Sequence, residues 1–99
     1  MIAIKIHRSY RIVVGICDSD LVGKKFEEGK KQLDCRESFY KEEVVDEERA
    51  IQIIKRQAVE DATFNIVGEK SIKCSIKVGI INEESVGYIT GIPFALTFL

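Results

Sequence analysis

The sequence predicts a mixed α/β domain, with an α+β arrangement as the alternative. It expects an N-terminal β-hairpin plus a third strand, then a helix and a C-terminal β-α-β unit, all in one small mixed sheet over residues 1–99. Three observations predict it. "IAIKIH" alternates, with Ile2, Ile4 and Ile6 on one face, and "RIVVGIC" follows a short polar turn, as in a hairpin. Apolar residues after Asp46 repeat at helical spacing. Two strand-like runs, "ATFNIVG" and "SVGYIT", flank a segment that ends at Gly79.

Each element follows from local chemistry. "DSDLVGK" offers Asp18 or Ser19 as an N-cap and Gly23 as a stop, enough for one or two helical turns. "KQLDC" alternates and reads as the third strand, with Leu33 and Cys35 inward; Phe39 shares their parity. Glu37 falls between them, so the strand ends there and "ESFYKEE" reads as a loop. Asp46 caps "DEERAIQIIKRQA", whose acids open the helix and whose Lys55 and Arg56 close it, matching the helix dipole. Its expected buried stripe is Ala50, Ile51, Ile54 and Ala58. "IKCSIKVGI" fits a strand by parity, but Gly79 followed by Ile80 is a helix-ending signature, so residues 69–78 are assigned to a helix. "GIP" then reads as a turn and "FALTFL" as the last strand.

Composition bounds the function. Charged residues are 31% of the chain, yet the net charge is −1, so no global field draws it to nucleic acid or membrane. The charge is uneven: residues 1–31 sum to +3, 32–69 to −5 and 70–99 to +1. Three cysteines without a CxxC, and a single histidine, argue against a disulfide framework or a zinc site. Buried free thiols in a reducing, cytoplasmic setting are expected. Lys5 interrupts the N-terminal apolar run, unlike a signal peptide, and no run is long enough for a membrane span. No cofactor is expected.

The landmarks "FEEG", "ESFY", "VVDEE", "NIVGE", "VGIIN" and "GIPFA" occur in an order that resembles the archaeal domain of unknown function family 424, over nearly the whole chain. The resemblance implies a small cytoplasmic archaeal protein, carries no particular activity with it, and favours the helix at residues 69–78.

The candidate sites are few. His7, Arg8, Tyr10 and Arg11 stand at the hairpin tip, where basic residues beside an aromatic suit phosphate contact and base stacking; Lys24 and Lys25 extend the patch if the fold brings them near. Phe39 and Tyr40 are candidates for contact with a protein partner, with Phe39 expected to plug the core and Tyr40 to cover its rim. Glu37 and Ser38, with His7, are the alternative enzymatic grouping, a hydrolase or nucleotide-using site, but no GxSxG elbow supports it and no catalytic residue is assigned. Asp18 and Asp20 lack the spacing of a calcium loop, so no metal is assigned. Gly68 alone does not make a phosphate loop, and Glu69 places a negative charge there. The uncharged C-terminal ten residues form either a buried strand or an edge for a homodimer. The leading expectation is a binding module contacting RNA or a translation-related protein; a structural oligomer is the remaining alternative.

Overall fold

The computed structural model describes residues 1–97. Its elements are β1 (Ile2–Arg8), β2 (Ile12–Asp18), β3 (Lys25–Glu28), β4 (Lys31–Asp34), α1 (Glu37–Tyr40), β5 (Glu43–Val45), α2 (Glu47–Val59), β6 (Thr63–Val67), α3 (Glu69–Val78), β7 (Gly87–Ile89) and β8 (Ile92–Thr97). Single 3-10 turns lie at Ser19–Leu21 and Glu83–Ser85. Six strands form one sheet in the order β5-β1-β2-β6-β8-β7. β2 and β6 are parallel; the other pairings are antiparallel. The mixed α/β class is as expected.

Strand parity explains which face the two long helices cover. Ile2, Ile4, Val14, Ile16, Phe64, Ile66 and Ala95 point to one side and meet Ala50, Ile53, Ile54, Ile72 and Cys74 of α2 and α3. Each such side chain, fully buried, contributes about 1.5–3 kcal/mol, so this face holds most of the stability. α2 begins as expected: the Asp46 side chain accepts from the Arg49 amide at 2.8 Å. Its buried stripe is Ala50, Ile53, Ile54 and Gln57, with the expected Ile51 and Ala58 half-buried at its margins. α3 lies close on the sheet because Ser71 and Ser75 are small and fully buried. Gly79, left-handed at φ 95°, ends it, and the amides of Gly79 and Ile80 both donate to the Ser75 carbonyl at 3.0 and 3.2 Å.

Four expectations are corrected. The third strand does not join the main sheet: β4 pairs with β3, an unforeseen strand, in a separate two-stranded sheet. "ESFY" is a single-turn helix, not a loop, and β5 follows it at the sheet edge. The C-terminal β-α-β unit exists, since β6 and β7 run parallel with α3 between them, but β8 is inserted between the two strands. "GIP" is not a turn: Ile92 and Pro93 already belong to β8, and Thr90 and Gly91 carry the positive φ angles of the turn. Residues 98–99 of the expected last strand lie outside the described residues.

The C-terminal strand named as a homodimer edge, β8, lies between β6 and β7. β8 pairs with β6 over Phe94–Thr97 but with β7 only over Ile92–Phe94, so Ala95–Thr97 has a paired strand on one side. The outermost strands, β5 and β7, are three residues each, too short to template strand addition well. No helix among the described residues is long and apolar enough to cross a membrane.

Candidate nucleic-acid interface

The second face of the sheet is built from three cross-strand rows. Ala3, Cys17, Val67, Phe94 and Gly87 form one; Lys5, Gly15, Asn65 and Leu96 the next; His7, Val13 and Thr63 the third. The first row is roofed by Leu33, Cys35, Tyr40 and Phe26 from the β3–β4 hairpin and α1. The roof stops halfway along the second. Gly15 lets the α1 backbone approach: a Cβ there would stand 2.6 Å from the Phe39 carbonyl oxygen. Beyond Phe39, among the described residues, the sheet is open. Val13, Thr63 and Asn65 are half-exposed and Leu96 is 52% exposed.

α1 is held to this margin by three contacts. Lys5 Nζ donates to the Ser38 carbonyl at 2.9 Å. The His7 ring stacks on Phe39 with centroids 4.6 Å apart. His7 Nε2 lies 2.8 Å from the Phe39 carbonyl. A carbonyl only accepts, so Nε2 carries a proton and donates. In the neutral ring this leaves Nδ1 as the accepting nitrogen. Glu37 and Ser38 are exposed beside it. The fold therefore brings His7 near Ser38 but uses its ring to position α1, and among the described residues no hydrogen bond joins the Ser38 hydroxyl to His7.

The structure separates the expected basic patch. Arg8, Tyr10 and Arg11 sit at the β1–β2 tip, with Tyr10 98% exposed. Lys24 and Lys25 come after the far end of β2, six residue steps away, about 20 Å at strand rise. Lys25 there is 3.7 Å from Glu27. Neither lysine joins the tip. Among the described residues neither Arg8 nor Arg11 takes part in an ion pair.

The two aromatic candidates exchange places. Phe39 is half-buried at the margin, whereas Tyr40 is 7% exposed and sits in the core with Cys17 and Cys35. Tyr40 is thus unavailable for partner contact. Burial, then the neighbouring Cys35, Cys17 and Asp34, pushes its phenol above the ordinary 10.0. An acid that holds its proton more tightly when folded contributes stability that is complete below the unfolded value and fades above it. Stability should therefore fall as pH rises past 10.0, and Tyr40→Phe should flatten that decline. Urea midpoints of both proteins at about pH 9 and 11 check it; parallel declines would refute the assignment.

Asp18 is the residue sequence reasoning placed wrongly. It does not cap the adjacent 3-10 turn through its side chain. It caps α3, more than 50 positions away. Its carboxylate accepts from the Lys70 amide at 3.1 Å, the Ser71 amide at 2.8 Å and the Ser71 hydroxyl at 2.7 Å. The anion position at the start of α3 is thus filled by the protein's own carboxylate, which disfavours a phosphate there. The pocket around it, about 220 Å³, is bordered by Asp18, Asp20 and Glu69 against a single Lys70. No group of three or more metal-ligating side chains is found among the described residues.

Comparison with known proteins agrees with the fold. No curated protein matches the chain. A solved structure described as an uncharacterized conserved protein from Methanopyrus kandleri superposes with a TM-score of 0.87 at 24% identity, covering 97% of this chain and 89% of that one. Likeness at that identity establishes the architecture. The match to the family described as Protein of unknown function (DUF424) runs from residue 7 to residue 99, and the chain belongs to that family.

Proposed function

We propose that the protein is a binding module for single-stranded nucleic acid, RNA foremost, using the open half of the second sheet face and the β1–β2 tip. One observation carries the reading: among the described residues the uncovered rows bear no carboxylate side chain, and they end at the tip where Arg8, Tyr10 and Arg11 stand. Flat sheet surfaces suit unstacked bases, which lie on apolar or aromatic side chains while basic groups follow the phosphates. Val13 and Leu96 supply apolar contact, Asn65 supplies both a donor and an acceptor for a base edge, and the exposed Tyr10 ring supplies a stacking platform. Glu60 and Asp61 border Tyr10 and Arg11, so the phosphate path runs along β1 on the Lys5 side.

Fluorescence anisotropy with labelled single-stranded and duplex RNA tests this. The single strand should be preferred. Its affinity should fall with salt at a logarithmic slope of about −0.7 per phosphate contact, near −2 in total for three contacts. Arg8→Ala with Arg11→Ala should flatten that slope and weaken binding about tenfold or more. Tyr10→Ala should cost roughly 1–3 kcal/mol of affinity with the slope unchanged. Absence of any retention at low salt, or equal loss from Lys24→Ala with Lys25→Ala, would refute the assignment.

A further inference from the structure

We propose that Asn65 makes the protein select adenine at a single position of a bound RNA strand. The inference rests on the nucleic-acid reading and names the base that the open sheet takes. Asn65 stands in the middle of β6, an interior strand, and is half-exposed on the uncovered face. Asparagine is depleted in strands, where a side chain is favoured for how it packs on its neighbours. Here the neighbours give it nothing to bond. Its row partners are Gly15 on β2 and Leu96 on β8, neither of which has a hydrogen-bonding side chain. Thr63 and Val67, next on the same face, are two positions along the strand, about 7 Å away. Among the described residues the Asn65 amide group makes no hydrogen bond. The other polar groups of the open rows are engaged or undiscriminating. Lys5 donates to the Ser38 carbonyl and His7 to the Phe39 carbonyl. The Thr63 hydroxyl rotates and serves donors and acceptors alike. Asn65 alone presents a planar donor beside a planar acceptor. The base information that this face can read is therefore gathered at one nucleotide.

The surroundings of Asn65 choose the base. On the β2 side the Phe39 ring stands over Gly15, where a Cβ would meet two of its ring carbons at 3.2 Å, and this walls off that approach. On the β8 side Leu96 is 52% exposed, and directly opposite residues have Cβ atoms about 4.5–5.5 Å apart. A base therefore reaches Asn65 over Leu96, with its face on the leucine and an edge toward the amide. A purine covers more of Leu96 than a pyrimidine does, and apolar contact scales with the area covered. Between the purines the edges differ. Adenine sets its N6 amine beside N7, a donor next to an acceptor, which an asparagine amide meets with two hydrogen bonds. The same amine also stands beside N1, so a single strand offers the match on two edges. Guanine shows two acceptors, O6 and N7, on the first of these edges, and offers the match only on the other.

The test measures anisotropy of short labelled oligouridines that carry adenine, guanine, cytosine or uracil at one central position. A uridine strand can slide, so the odd base finds its own register. The adenine strand should bind about fivefold tighter than the uracil strand, the lower end for one good bidentate pair, with guanine between them. All four should share one salt slope, since their phosphates are the same. Asn65→Ala and Asn65→Val should bring the adenine strand down to the uracil strand and leave the uracil affinity and the slope unchanged. Valine suits a strand and keeps the sheet intact should alanine loosen it. The outcomes separate this assignment from the reading beneath it. No retention of any strand at low salt overturns both. Retention with four equal affinities overturns the assignment alone. So does a guanine strand that binds tighter than adenine, or an adenine preference that survives in both variants. Equal weakening of all four strands in both variants would mark a structural role for Asn65 and overturn the assignment as well.

Discussion

Gly68→Ala is expected to cost about 4 kcal/mol of stability, the largest effect of any single methyl group in this chain. Two costs combine. Gly68 sits at φ 106° and ψ 153°, a region essentially restricted to glycine, where a side chain costs about 1–3 kcal/mol. The added Cβ would also land on the Asp18 carboxyl group, and overpacking of this kind costs typically 1–3 kcal/mol. Asp18→Ala removes the three hydrogen bonds at the start of α3. It leaves buried Ser71 donors unpaired, so a loss of about 3 kcal/mol is expected. The two costs should not add. With Asp18 truncated, the steric part of the Gly68→Ala penalty disappears and only the backbone part remains. A double-mutant cycle by urea unfolding should therefore show a coupling of about 1–2 kcal/mol. Strict additivity would mean that the Asp18 carboxylate does not confine Gly68.

That pair also marks where the sequence stopped being legible. Elements with strong local signals were readable: the β1–β2 hairpin by alternation, α2 by its Asp46 cap, α3 by Gly79 and the folding-back Ile80. The role of Asp18 was not, because its partners lie more than 50 positions away and its local context offers an equally good cap one residue on. α1 was missed because four residues carry too little periodicity, and Arg36 at its N-cap provides no side-chain cap. That miss explains the inverted reading of the aromatics. In a strand, Phe39 would share the inward parity of Leu33 and Cys35; a helical turn rotates about 100° per residue and brings Tyr40 inward instead. The β3 strand was hidden because Lys25, Glu27 and Glu28 are exposed, so no apolar alternation appears, although Gly29 stands in a two-residue connection between Glu28 and Lys31. Of the candidate interface, the tip was legible as a run of local sequence. The open sheet rows were not, since they exist only once β6 and β8 are placed beside β2.

Gly15→Ala is expected to lift α1 off the sheet, at a cost of about 2 kcal/mol. The new Cβ would stand 2.6 Å from the Phe39 carbonyl oxygen and 3.2 Å from two of its ring carbons. The nearest obstruction is backbone, so a rotamer change cannot relieve it. α1 must move, and its attachments to the sheet, the His7 donation to Phe39 and the Lys5 donation to Ser38, must lengthen or break. The opposite core does not share these contacts: Ile54, Phe64 and Ile72 pack among α2, α3 and the other sheet face. Amide exchange should therefore accelerate at Tyr40 and Lys41, whose amides bond within α1, well before it changes in α2 beyond the global shift. A fall in protection spread evenly over both layers would show that roof and core are one cooperative unit. In that case the margin beside the open rows is fixed by the whole fold, and the proposed nucleic-acid face would be as rigid as the core beneath it.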